Sequence, residues 1–321
     1  MSTTVHAATP PQESPSPATP PPSPRRKRTP ATWFHGGGLT SVLFAIPVVL
    51  IFTYFSWGPI LQGLVLSFQK TNLVAEPSWV GLSNFEYVLS DPGLGQAVLN
   101  TVYFAFLALV FGFPVPIILA VLINELRKYD GVYNALAYLP AIVPPVAAIL
   151  LWKFFYDPST TGMFNTMLSW IGLGPLPWLN SEALAMPSIV LYATWAGAGS
   201  TAIIYIAALR TVSTELYEAA EIDGASIWRR MWSVTVPQLR GVILVMMLLQ
   251  LIGTFQIFTE PFLFTGGGPN NATQTILLKI YNYAFVYGDF GAATALSVML
   301  AAFLCLLSAV YLWATKRWSP S

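Results

Sequence analysis

Six apolar runs, at about 41–68, 97–123, 132–155, 187–209, 239–261 and 291–315, constrain this chain more than anything else in it. Each is long enough to cross a hydrocarbon layer roughly 30 Å thick, which takes about 20 helical residues. Inside a bilayer every backbone polar group must be bonded within the protein, so the runs predict six membrane helices. Pro47, Pro114 and Pro144 fall inside them and are tolerated where neighbouring helices shield the freed backbone groups. Small residues recur, as in AGAGSTAIIYIAA (196–208), a composition suited to close helix packing rather than to lining a channel.

Composition agrees: 55% of the residues are hydrophobic and 9% charged. The single cysteine, Cys305, lies within an apolar run, which excludes an internal disulfide and a cysteine metal cluster. Phosphate-loop, HExxH and GxSxG patterns are absent, so no catalytic and no metal residue is expected on this chain. Residues 1–38 hold nine prolines and the cluster Arg25-Arg26-Lys27-Arg28, and read as a disordered tail ahead of a membrane domain at 39–318. The run after that cluster is too long for a signal-peptide core.

Positive charge sets the expected topology. With the N-terminus in the cytoplasm, twelve Lys and Arg fall inside (Arg127, Lys128, Arg210, Arg229, Arg230, Arg240, Lys316 and Arg317 with the four in the tail), and only Lys70, Lys153 and Lys279 outside. Both termini are then cytoplasmic. Three outer loops result, and MFNTMLSWIG (163–172) in the second is either an interfacial helix or one packed on the bundle.

The longest internal cytosolic segment is then 210–238. Ser213 or Thr214 caps a helix start there, Gly224 turns the chain, and a second short helix carries Trp228, Arg229, Arg230 and Trp232. The residues alone leave two readings: a solvated amphipathic loop, or a docking knob that passes a partner's movement into the membrane.

Glu218-Ala219-Ala220, three residues, Gly224, nine residues and then Val234-Thr235-Val236-Pro237 resemble the EAA motif of permease subunits of binding-protein-dependent ABC importers, with valines where isoleucine and leucine are usual. VGLSNFEYVLSDP (80–92), NTVYFAF (100–106), LPAIVPPV (139–146) and FTGGGPNNATQTILLKIY (264–281) resemble the carbohydrate branch of that family. The likeness covers nearly everything from about residue 40 onward.

That resemblance implies an all-α type I importer permease in a bacterial plasma membrane. Its implied partners are a second permease, two ATPase subunits that carry ATP and magnesium, and an extracytoplasmic solute-binding protein. No cofactor is implied on this chain. Glu218, Ala219, Ala220, Asp223, Gly224, Arg229 and Pro237 would form the ATPase-coupling segment. Gly197, Ser200, Gln250, Gly253, Thr254 and Ile257 would fall along a substrate pathway. Gly266, Gly267, Gly268 and Pro269 would form a backbone-flexible turn for docking or gating. A sugar or sugar-like solute, such as trehalose or another disaccharide, is implied by the same likeness. A secondary transporter is the alternative class, and it would show inverted repeats and buried charges that this sequence lacks.

Overall fold

The computed structural model describes residues 39–125, 130–316 and 318. The expected tail 1–38, and Arg127, Lys128 and Arg317 of the topology argument, lie outside them. The chain divides into two units, Met1–Pro59 and Ile60–Ser321. In the first, α1 (Leu39–Phe52) passes through a π-turn (Thr53–Trp57) into α2 (Gly58–Leu66), which opens at the unit boundary. Apolar side chains such as Phe44, Val48 and Tyr54 stand exposed along it.

The second unit continues from α2 into a short antiparallel pair, β1 (Gln69–Lys70) and β2 (Ser78–Trp79), with Gln69 opposite Trp79. Helix α3 (Ser83–Leu89) follows, and Asn84 Nδ2 donates to the carbonyls of Ser67 and Gln69, both at 2.9 Å. The second span is α4 (Pro92–Leu107), a π-turn (Ala108–Gly112) and α5 (Pro114–Glu125). Asp91 caps α4 by accepting from Gly93 N at 2.7 Å, with Pro92 at the position where a missing N–H costs nothing. A proline inside a helix removes one hydrogen bond and crowds the carbonyl four residues back. The π-turn just before Pro114 absorbs both effects.

The third span does not tolerate its prolines as expected. It breaks into α6 (Asp130–Ile142) and α7 (Pro145–Phe155), bent by 94°. Pro144 precedes Pro145 and is driven out of the helical region to φ −54°, ψ 130°, since a residue before proline clashes with its ring there. Pro140 and Pro47 sit inside their helices without a break.

Helix α8 (Met163–Ser169) is held to its loop by Asn165, which is buried. That amide donates to the carbonyls of Ser159 and Leu176 and accepts from Leu176 N and Trp178 Nε1. Trp170 and Ile171 stand exposed beside it while Phe164 packs inward, so of the two readings of 163–172 the structure supports the helix packed on the bundle.

The remaining helices are α9 (Glu182–Leu209), α10 (Thr214–Ile222), α11 (Ile227–Arg230), α12 (Val236–Phe255), α13 (Thr259–Thr265), α14 (Ile276–Tyr281) and α15 (Phe290–Thr315). A π-turn at Met231–Thr235 joins α11 to α12, so one helical rod runs from Ile227 to Phe255. Here again the turn falls just before a proline, Pro237. The helix that carries the fifth apolar run therefore starts before 239 and stops at Phe255. Among the described residues, five helices are long and apolar enough to cross a membrane, and six if the bent pair is one span.

Three apolar clusters hold the second unit together. One is aromatic, with Trp152, Tyr156, Tyr192 and Phe264 around Met186 and Ile189. A second lies where α15 meets α14 and α12, on Ala292, Leu296, Leu300 and Phe255. The third joins α5, α9 and the start of α12 through Ala120, Ile123, Tyr205, Leu209, Met231 and Leu239. At Gly199 a Cβ would collide with the Ala137 carbonyl, so α6 lies backbone to backbone on α9.

Candidate functional site

The stretch between α9 and α12 is built by three successive backbone solutions. Ser213 Oγ accepts from Glu215 N at 3.3 Å and starts α10. At its other end, Gly224 takes φ +70°, open to glycine at no steric cost. Gly224 N donates to Glu221 O at 2.9 Å and Ala225 N to Ala220 O at 2.9 Å. That pair of bonds is a Schellman close, and it explains the spacing of the motif: the glycine must follow the helix end at a fixed step. Ser226 then caps α11, accepting from Arg229 N at 3.4 Å.

The expected second short helix is therefore the first turn of the fifth-span rod, not a separate piece. A helix of nine residues, α10, projects beside that rod and turns into it at one glycine. Tyr217 and Thr235 link the two, their hydroxyls 3.0 Å apart. Glu218, Ala219, Asp223 and Gly224 are exposed and Ala220 is half-buried. Arg229 faces solvent with Trp228 and Trp232.

Arg230 does the opposite. It is buried, with 7% of its surface exposed, and lines a cavity of about 490 Å³. Its Nη2 donates to Glu125 Oε2 at 2.9 Å, at the last residue of α5, and its Nη1 to Glu221 on α10. Its Nε has no partner among the described residues. Glu218 lines the same cavity. The pattern-based list held Arg229 and not Arg230. The signal was a register: Arg230 directly precedes the buried stripe Met231, Thr235 and Leu239. Its partner Glu125 lies 105 residues away, beyond what spacing can show.

Further along the rod, Gln250, Gly253, Thr254 and Ile257 line a cavity of about 310 Å³ with Phe104, Phe113 and Thr201. Gly197 and Gln250 line a smaller adjoining one of about 70 Å³. Ser200 lies apart from both; its hydroxyl donates to Gly197 O at 3.0 Å. The Thr254 hydroxyl is likewise committed, to Leu251 O at 2.8 Å.

Gly266–Pro269 sits at the Glu182 end of α9, far along that helix from Leu209 and the knob. It is pinned rather than loose. Gly266 closes α13 at φ +60°, and a Cβ on Gly267 would collide with Gln274 Oε1. Thr273 donates to Gly268 O at 2.8 Å and its hydroxyl lies 2.6 Å from that of Thr265. Asn100, buried in α4, donates to the carbonyls of Asn271 (2.7 Å) and Gln274 (3.0 Å), and Asn270 donates to Glu182. Nearby, Asp91 pairs with Lys279 at 2.8 Å and accepts from Tyr283. Burial pushes the Asp91 carboxyl up, but bonds from Lys279, Tyr283 and Gly93 and the Lys279 charge outweigh it and hold it below the usual value.

Residues 112–320 match the family of the binding-protein-dependent transport system inner membrane component. The chain belongs to this family. The permease is 31% identical over 281 residues to the arabinooligosaccharides transport system permease protein AraP of Bacillus subtilis, covering 87% of this chain and 89% of that one. It is 32% identical over 276 residues to the trehalose/maltose transport system permease protein MalF of Thermococcus litoralis, covering 86% and 92%. A crystal structure of a bacterial alginate ABC transporter, in complex with an alginate pentasaccharide-bound periplasmic protein, contains a chain similar at TM-score 0.77 and 27% identity. That match covers 90% of this permease and 98% of its counterpart. The permease is thus a multi-pass membrane subunit of an ABC importer, and its relatives are transport proteins rather than enzymes.

Proposed function

We propose that this permease forms half of the translocation pathway for a sugar or short oligosaccharide, pairing with a second permease, two ATPase subunits and an extracytoplasmic binding protein. The observation that carries this reading is the Schellman-closed α10, turned at Gly224 into a rod that continues unbroken to Phe255. A movement imposed on such a knob from outside the membrane reaches the cavity at Gln250 and Gly253 through one helix. Glu218, Ala219, Ala220, Asp223, Gly224 and Arg229 present the docking face, Pro237 shapes the rod, and Gly197, Gln250, Gly253, Thr254 and Ile257 border the solute path.

In this reading both termini and the knob lie in the cytoplasm, as the positive-charge bias predicts. Gly266–Pro269 then lies on the outer side, a rigid platform for the loaded binding protein. Sugar as the solute is supported by the oligosaccharide and disaccharide systems named for its relatives.

Purifying the tagged permease in mild detergent and identifying co-purified chains by mass spectrometry tests this. The expected result is a second six-span permease and a phosphate-loop ATPase. The binding protein of the same system, titrated with trehalose, maltose and arabino-oligosaccharides, then names the solute. A stable, partner-free protein carrying out ATP-independent uptake would overturn the reading in favour of a secondary transporter.

A further inference from the structure

The arrangement around Arg230 has a purpose beyond charge placement. A guanidinium is planar and always charged, and its separate N–H groups can hold two carboxylates at once. Arg230 does this: one nitrogen takes Glu125 at the end of the second span, and another takes Glu221 on α10. The guanidinium itself belongs to the fifth-span rod. Three elements that meet nowhere else through charged side chains, among the described residues, are thereby held by one group. A charge this buried is held only by partners, because an uncompensated ion in such a site is strongly disfavoured.

The rest of the knob lacks any comparable tie. Helix α10 has no fully buried residue, and its exposed side includes Ile222 at 87% exposure. Apart from the turn at Gly224 and the Tyr217–Thr235 contact, no other polar side-chain bond among the described residues ties it to the spans. Arg230 is thus placed where it decides whether a push on α10 moves the spans or merely swings α10 on its glycine.

We infer that Arg230 is the positioning residue of the coupling segment, a three-way clamp that locks α10 to the inner ends of the second and fifth spans so that they move as one body. The inference rests on the importer reading. Lysine replaces the arginine only in part, because a single ammonium on a flexible stem does not reproduce a planar fork across two separate carboxylates. Glu125 and Glu221 each supply one arm, so losing both should equal losing Arg230, as expected of residues that act as a unit.

The test uses the complete complex with its partner permease and ATPase, in lipid nanodiscs, and needs no knowledge of the solute. Cys305 is replaced by serine, being the only cysteine, and spin labels are placed at Ile222→Cys and Leu122→Cys, both exposed. Distance distributions are recorded without nucleotide and with ATP and vanadate trapped. The expected result with Arg230 intact is one narrow distribution, unchanged by nucleotide. In Arg230→Met, and equally in Glu125→Gln/Glu221→Gln, the distribution broadens and shifts on trapping by about 1–2 Å or more, the scale of helix shifts in such transitions. Arg230→Lys should fall between the two.

A distribution that shifts in the intact protein, or stays narrow and fixed in both variants, would overturn the clamp. If Arg230→Met fails to assemble, the double glutamine variant, which keeps the arginine, gives the same two outcomes. Failure of the intact permease to bind the ATPase at all would overturn the importer reading instead, and the clamp with it.

Discussion

Two glycines show how differently one residue type is used. Gly224 has open space around its Cβ position but a φ of +70°, so its constraint is purely conformational. Gly224→Ala should cost roughly 1–2 kcal/mol at the turn, the penalty for an L-residue in left-handed backbone. It should lower solute transported per ATP, while Gly224→Asn, which tolerates that region better, recovers part of it. Equal transport by both variants and the parent in reconstituted vesicles would refute this. Gly199 is the converse case, with ordinary backbone and no room. Gly199→Ala must push α6 away from α9, at about 1–3 kcal/mol for an overpacked contact. A lowered midpoint in thermal unfolding of the detergent-solubilised permease is the expected reading. Asn165 belongs at this scale too, since its amide bonds four residues, Asp157, Ser159, Leu176 and Trp178.

At the scale of elements, prolines divide the spans into three kinds. Pro114 and Pro237 each follow or sit beside a π-turn that takes up the missing bond. Pro47 and Pro140 ride inside their helices. Only the consecutive pair Pro144-Pro145 breaks a span outright, because the first of two prolines cannot remain helical. The loop 266–276 is an element fixed from outside itself, mainly by Asn100. Asn100→Ala removes the donors that Asn271 and Gln274 carbonyls share. Two lost bonds at about 1 kcal/mol each should raise hydrogen exchange in 270–276 by roughly thirtyfold. Unchanged protection there would mean that Thr265 and Thr273 suffice to hold it.

For the whole molecule, one ion pair ties the start of the second span to the segment before the sixth. Asp91 has its folded pKa depressed, so its pair with Lys279 contributes above the unfolded carboxylate value, about 3.9. The contribution is lost as pH falls through the lower folded value. The difference in unfolding midpoint between the parent and Asp91→Asn should therefore stay constant from neutral pH down to about pH 5 and shrink only below about pH 4. A difference that already closed near neutral pH would show that Asp91 is not the group responsible.

The long apolar helices, the short helix ahead of the fifth apolar run and the turn at Gly224 were legible in the sequence. Long apolar runs can do little else in a bilayer, and the glycine in its fixed step behind the EAA helix states its own geometry. The tertiary structure decided what depends on partners distant in the chain. Arg229 and Arg230 are indistinguishable by composition, yet one faces solvent and the other pairs with Glu125, 105 residues away. The glycine-rich loop reads as flexible from its residues and is rigid because Asn100, on another helix, satisfies its carbonyls. Local backbone preference acts within a few residues and is written in the sequence there. Burial and charge pairing act across whatever the fold brings together, and only the fold says what that is.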